Sequence, residues 1–192
     1  MTDGATPRLD RALGERRPAR RSWILLALPG SAYIYQGDEL GLQEVADLPR
    51  EVLEDPMASR TTKEKGRDGC RVPLPWSADG PSYGFGQHVG HLPQPEWFAA
   101  YAVDVQEADP GSMLNLYRRA LALRSELLVS DDLHWVESES SVLHFARPGG
   151  VRCITNFWAA PVALPVGEIL LSSGQLDQVG CPATRPFGCG LV

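Results

Sequence analysis

Residues Ala32–Tyr35 read "AYIY", four consecutive apolar positions, with Pro29-Gly30 before them and Gly37 just after. A half-buried strand alternates apolar and polar residues, whereas one that is apolar throughout is buried on both faces, as in parallel sheets. Such a strand needs neighbours along both edges, and parallel neighbours are joined by crossovers of a dozen or more residues. Residues 41–110 hold no second run of this kind, and only one convincing helix follows, over "SMLNLYRRALALRSEL". The chain therefore carries one piece of a parallel architecture. An unpaired strand invites association, so such a piece is expected to be marginal as a solution monomer.

Around that run the punctuation is clear. Trp23–Leu28 reads as the last turns of a buried helix, stopped by Pro29-Gly30, and Gly37 allows the backbone to turn. The next seventy residues are rich in loops and contain "DPMASR", "GRDGCRVPLPW", "YGFG" and "LPQPEW" within 41–110. Long loops inside a compact domain are usually functional. For the helix, Asp109 or Ser112 is the candidate cap, and Met113, Leu116, Tyr117, Ala120 and Leu123 form its apolar stripe.

After Ser130 the period changes. "LHWVES", "SVLHFARP", "VRCITNFWA", "PVALP" and "GEILLSSG" are short β-type runs broken by Gly, Pro or Ser, which predicts an antiparallel sheet within a small sandwich. The organisation expected is a basic, poorly ordered leader over 1–22, an α/β portion over 23–129 and a β domain over 130–192 whose tail from about 175 is aberrant.

Charge and cysteine usage narrow the function classes. The net charge is −6, and residues 1–22 hold six arginines against three acids, so the rest of the chain carries −9. A general nucleic-acid binder needs a basic surface. Cys70, Cys153, Cys181 and Cys189 show no paired spacing, and His88 and His91 sit among Gly and Pro rather than on one helix face, so no metal site is expected. Free thiols suit a reducing cytoplasm. The apolar run after "RRPARRS" is six residues long, shorter than the seven or more of a secretory signal. No run approaches the roughly 20 residues of a membrane helix.

Taken in order, "LLALPGSAYIYQGDELGL", "DPM…GRDGCRVPLPW", "LPQPEW" and "DPGSMLNLYRRALALRSEL" resemble the α-glucosidase and oligo-1,6-glucosidase branch of glycoside hydrolase family 13, the α-amylase family. The resemblance covers roughly Leu13 to Gly174. It implies an α/β fragment, made of the last strand, loops and helix of a TIM-type barrel, followed by a small antiparallel β-sandwich domain. "YIYQGDELG" would be the eighth strand and its loop, and "SMLNLYRRALALR" the last barrel helix. The activity implied is that of a retaining α-glucosidase acting on terminal α-linked glucose of short oligosaccharides, without a cofactor. The partners implied are a small oligosaccharide once the barrel is complete and an upstream-encoded barrel fragment, with neither nucleic acid nor membrane.

The family's aspartate nucleophile, glutamate acid/base and second aspartate come from the fourth, fifth and seventh strands, all upstream, so no catalytic residue is expected here. Physical geometry agrees. A retaining glycosidase needs two carboxyls about 5 Å apart across the sugar, and adjacent strand residues point to opposite faces. Asp38 and Glu39 are therefore read as structural. The resemblance turns Arg67 toward the substrate, while Arg71 and Trp76 are read as loop scaffolding. Tyr83 and Phe85 are candidates for stacking on a sugar. The bland alternatives are an ion pair of Arg67 with Asp55 or Asp68, and aromatic packing within the loop. For the whole chain, the alternatives are one half of a split α-glucosidase, or a non-catalytic carbohydrate-binding or interaction module using Trp135, Phe145, Phe157 and Trp158.

Three features depart from the family. The first seven strands have no counterpart here, residues 1–12 do not resemble it, and "GCPATRPFGCGLV" replaces an ending similar to "LPxDTAVWLR". Codons permitted by Gly180 to Gly190, read one base earlier, spell "VPGDTAVWLR". The same operation on "RPARRSW" gives "ARAAVL", which resembles the helix before the eighth strand. The tail is accordingly expected to be out of frame and loosely packed, leaving the β domain without a closing strand and Ile169, Leu170 and Leu171 less covered.

Overall fold

A computed structural model describes residues 24–60, 66–157, 160–173, 176–177, 183–184 and 189–192. These fall into two units, Met1–Ile34 with Leu116–Val192, and Tyr35–Asn115. The expectations for the leader, the segment before Ile24, Trp158 and Cys181 lie outside the described residues.

In the first unit, helical residues 24–27 stop at Pro29-Gly30. The last carbonyls of a helix have no intrahelical partner, and two arginines supply donors. Arg124 donates to the carbonyls of Leu26, Leu28 (2.7 Å) and Gly30, and Arg147 to those of Ala27 (2.7 Å), Asp132 (2.8 Å) and Ser130. Arg147 is 3% exposed. Its charge is accommodated because its nitrogens all reach carbonyl oxygens, at the helix end where cations are favoured. Burial, and then Arg124 beside it, lower its pKa. Sequence reading missed this pair, since the partners lie about a hundred residues apart.

The run Ser31–Tyr35 then passes without turn, bend or ladder partner. The parallel strand expected here is thus an unpaired run, because the described residues hold no second strand of that kind. Tyr33 is 85% exposed and Ile34 38%.

All five expected β runs form strands: β1 (His134–Trp135), β2 (Val142–Ala146), β3 (Arg152–Asn156), β4 (Val162–Ala163) and β5 (Leu171–Ser172). Three more come from the tail: β6 (Leu176–Asp177), β7 (Ala183–Thr184) and β8 (Cys189–Leu191). They make two antiparallel sheets, in the orders β1-β2-β3-β8-β5 and β4-β7-β6. The closing strand that the sequence led us to expect missing is therefore present. β8 lies between β3 and β5, with Val192 N–H bonded to the Arg152 carbonyl (3.0 Å) and Leu170 N–H to that of Leu191 (2.9 Å). A ladder needs only free backbone groups and one apolar side chain at the right register. Leu191 supplies that side chain. The register aligns Trp135, Phe145, Cys153, Leu191 and Leu171 in one row across the sheet, and the last four are at most 4% exposed. Phe145 meets Trp135 edge to face at 5.6 Å. Phe157, read as core, is instead 46% exposed, one residue beyond the end of β3.

The second unit is mostly loops and single turns, with α1 (Pro56–Arg60) and α2 (Val103–Ala108). Its core gathers Val45, Leu48, Val72 and Phe98, with Leu42, Leu53, Tyr83 and Leu92 packed against them. The long helix α3 (Met113–Leu127) begins in this unit and continues in the first. Ser112, not Asp109, caps it: Ser112 Oγ accepts from Asn115 N–H at 3.2 Å, while Asp109 Oδ1 accepts from Gly111 N–H at 2.8 Å. Buried Gln106 ties three segments together. It donates to the Leu40 (2.8 Å) and Tyr101 (3.1 Å) carbonyls and accepts from Leu114 N–H at 3.0 Å. Three satisfied bonds make its burial tolerable.

Candidate functional site

The loop face of the Tyr35–Asn115 unit carries the residues singled out above. Gly37 takes φ 98°, a conformation costly for other residues, and the turn continues as a single 3-10 turn, Asp38–Leu40. Asp38 Oδ2 accepts the Tyr35 N–H (3.3 Å) and Glu39 Oε2 the Gly37 N–H (2.8 Å). Each carboxylate spends an oxygen on its own turn, and neither faces a second carboxylate across a cleft.

The strongest polar feature is a clasp made by Asp55, Asp68 and Arg71. Asp55 ends the extended segment before Pro56, where an Asp followed by Pro is a helix-start signal; its Oδ1 accepts the Met57 N–H at 2.9 Å. Its Oδ2 accepts from Arg67 N–H (3.0 Å) and Arg71 Nη2 (3.2 Å). Asp68 Oδ2 accepts the N–H groups of Glu54 (2.9 Å) and Asp55 (2.8 Å), and its Oδ1 meets Arg71 Nη1 at 3.3 Å. The two carboxylates are 5% and 2% exposed. Buried charges require such pairing. Gly66 sits against the clasp at φ 73°, and a Cβ there would lie 2.4 Å from Asp55 Cγ.

The clasp divides the work between two arginines. Arg71 is held by both carboxylates, as the scaffolding reading expected. Arg67 gives its backbone N–H to Asp55 but keeps its guanidinium loose: Nε stands 4.0 Å from Asp55 Oδ2 and the side chain is 84% exposed. The hydrogen bond from Met57 N–H, then that from Arg67 N–H, hold the Asp55 carboxyl below its ordinary 3.8, outweighing burial. A depressed pKa adds stability above the unfolded value and loses it as pH falls through the folded one. The melting temperature is therefore expected to fall on acidification below about pH 4, and Asp55→Asn to flatten that fall. Parallel melting curves for the two proteins between neutral pH and pH 3 would sink the assignment.

Ser82 and Tyr83 both lie in the left-handed region, at φ 51° and 46°. Each such residue costs on the order of 1–3 kcal/mol unless its surroundings hold it. Here Trp76 (2.7 Å) and Ser77 (3.0 Å) both donate to the Tyr83 carbonyl. Gly90 N–H reaches Ser82 Oγ (3.2 Å), and Gln94 donates to the Ser82 carbonyl (3.1 Å). Tyr83 packs on the hydrophobic cluster, whereas Phe85 is 56% and Trp76 53% exposed. No hydrogen bond, ion pair or ring contact among the described residues joins Arg67 to Tyr83 or Phe85.

A cavity of about 110 Å³ lies at the Gly37 turn, walled by Tyr35, Asp38, Glu44, Cys70, Leu74 and Phe98. Small-molecule sites occupy about 300–1,000 Å³, so this hollow needs further walls to take a sugar. Burial and then Glu44 raise the pKa of the Cys70 thiol. His91 Nε2 lies 3.0 Å from the Val52 carbonyl and 3.3 Å from Glu54 Oε1. Among the described residues no three His, Cys, Asp or Glu side chains are arranged to hold a metal ion, and no helix is long and apolar enough to cross a membrane.

An unpaired parallel-type run, a loop-built face after it and one long helix are parts of an α/β-barrel enzyme. The sequence profile of the α-amylase catalytic domain matches residues 7–131; the chain belongs to the α-amylase family. A "Probable alpha-glucosidase" of Rhizobium meliloti (strain 1021) is 41% identical over 154 residues, 76% of this chain and 28% of that protein. "Probable oligo-1,6-glucosidase 2" of Bacillus subtilis (strain 168) is 29% identical over 121 residues, 54% of this chain and 21% of its own length. Among solved structures, the alpha-glucosyl transfer enzyme XgtA superposes on 98% of this chain and 36% of its own, at 32% identity and a TM-score of 0.71. The trehalose-6-phosphate hydrolase of Bacillus licheniformis, at 18% identity and a TM-score of 0.75, shares the fold. The chain thus spans about a third or less of the length of these curated relatives.

Proposed function

We propose that this chain is the C-terminal part of a retaining α-glucosidase acting on terminal α-linked glucose of short oligosaccharides. It supplies the last barrel strand, the loop that rims the sugar pocket and a β domain whose two sheets pack as a sandwich, but not the catalytic carboxylates. The observation that carries this reading is the clasp, which fixes the loop backbone while leaving the Arg67 guanidinium 84% exposed. A planar fork of donors suits vicinal sugar hydroxyls or a catalytic carboxylate. Phe85 adds an exposed ring; Tyr83, packed on the core, supports the loop and offers a sugar at most its edge. Also part of the proposal are a tail read out of frame from about 175 and a location in the cytoplasm, which the free Cys70 and Cys153 fit. The alternative of a stand-alone carbohydrate-binding module has less support, since Phe145, the centre of its aromatic set, is 0% exposed.

The test is to fuse this chain in frame behind the first two thirds of the Rhizobium meliloti relative and measure turnover of a nitrophenyl α-glucoside. Arg67→Ala is expected to lower kcat/KM by about 1–3 kcal/mol, the range for a lost charged hydrogen bond. Arg71→Ala should lower stability more than turnover. Equal kinetic losses at both positions would leave Arg67 without a distinct role.

A further inference from the structure

The backbone of Ala32, Tyr33 and Ile34 is unlike that of any other apolar run in the first unit. Among the described residues it makes no hydrogen bond on either edge. The residues before it are anchored: Gly30 N–H reaches Asp131 Oδ1 at 3.2 Å, and Arg124 holds the Gly30 carbonyl. An apolar run fixed at its start, with two open edges and exposed Tyr33 and Ile34, is shaped to be inserted between strands.

We propose that Ala32–Ile34 is a docking strand for a separate polypeptide that carries the remaining strands and helices of the barrel and presents two parallel strand edges to it. This rests on the barrel reading of the preceding section. The occupant is set by what is absent from this chain, which spans 28% of the Rhizobium meliloti relative and 36% of XgtA. A second copy of this chain fits less well. Two such runs paired with each other leave one edge of each open and one face of each wet, whereas a barrel with one strand missing covers both edges and both faces.

The experiment mixes the full chain with the first two thirds of the Rhizobium meliloti relative, produced as its own polypeptide and tagged, and reads co-purification and mass in solution. A one-to-one complex is expected. Ile34→Pro removes an N–H that bonds nothing in the free chain, so the melting curve of the free chain should not move. In the complex the same change deletes a ladder bond and adds a clash, weakening binding by about tenfold or more. Tyr33→Asp, which places a charge on a covered face, should act likewise. A complex indifferent to both substitutions, no complex at all, or a homodimer that Ile34→Pro dissolves would each overturn the proposal. Docking and activity separate cleanly. A complex without turnover keeps the docking strand and sinks the α-glucosidase reading, while turnover by the in-frame fusion without any two-chain complex does the reverse.

Discussion

The purified chain by itself should hydrolyse a nitrophenyl α-glucoside no faster than buffer does. Enzymatic rate enhancements start at about a millionfold, so the expected deficit against an intact relative is at least that large. The reason is geometric. Retaining hydrolysis needs two carboxyls about 5–5.5 Å apart on either side of the bond, one of them free to carry a proton. Asp38 and Glu39 accept the N–H groups of Tyr35 and Gly37. Asp55 and Asp68 are buried and share Arg71, and Asp104 accepts the Ala78 N–H at 3.1 Å. The cavity beside Asp38 holds about 110 Å³, less than the smallest ordinary ligand site. Turnover by the isolated chain that disappears in Asp38→Asn or Glu39→Gln would overturn this reading.

Removing Cys189–Val192 should unfold the β domain, and replacing residues 181–190 with "VPGDTAVWLR" should strengthen it. Leu191 fills the row between Cys153 and Leu171, and burying one such side chain is worth about 1.5–3 kcal/mol. β8 and Val192 also bond Arg152 twice and Leu170 once, at about 0.5–1.5 kcal/mol net each. The loss is then roughly 3–7 kcal/mol, comparable to the whole stability of a domain. β5 would lose the only partner it has among the described residues. The alternate-frame tail keeps a strand and adds Val, Trp and Leu, residues that suit a half-buried sheet; one more buried side chain brings about 1.5–3 kcal/mol. Denaturant midpoints of the three versions decide the matter. A truncated chain as stable as the parent would refute the role of β8. Equal midpoints for the two full tails, or codons that cannot encode the alternate ending, would refute the frame argument.

Features that depend on neighbours in sequence were legible from it. The stripe from Met113 to Leu123 and the Ser112 cap marked α3, and five β runs fell where alternation and breakers put them. The turn at Gly37 was equally readable, as was the exclusion of Asp38 and Glu39 as a catalytic pair, because backbone conformation and side-chain direction repeat over two to four residues. Distant pairings were not legible. Asp55 meets Arg71 across 16 residues, Gln106 meets Leu40 across 66 and Arg147 meets Ala27 across 120. No local period announces such a bond.

The tail shows the same division from the other side. Its composition predicted loose packing, since "CGLV" has almost no β pattern, yet β3 and β5 left a gap that any short free backbone with one inward Leu could close. Tyr83 is a second case. Its "YGFG" setting suggested an exposed ring, but the Trp76 and Ser77 N–H groups hold its carbonyl and turn it back onto the Phe98 cluster. By itself the sequence determined which segments are helix, strand or turn and to which family they belong, because those depend on local sterics and on motifs read in order. Only the tertiary structure decided which arginine is bound and which is free, which aromatic is core and which strand closes the sheet. Those outcomes depend on the competition of distant groups for the same buried space and the same hydrogen bonds.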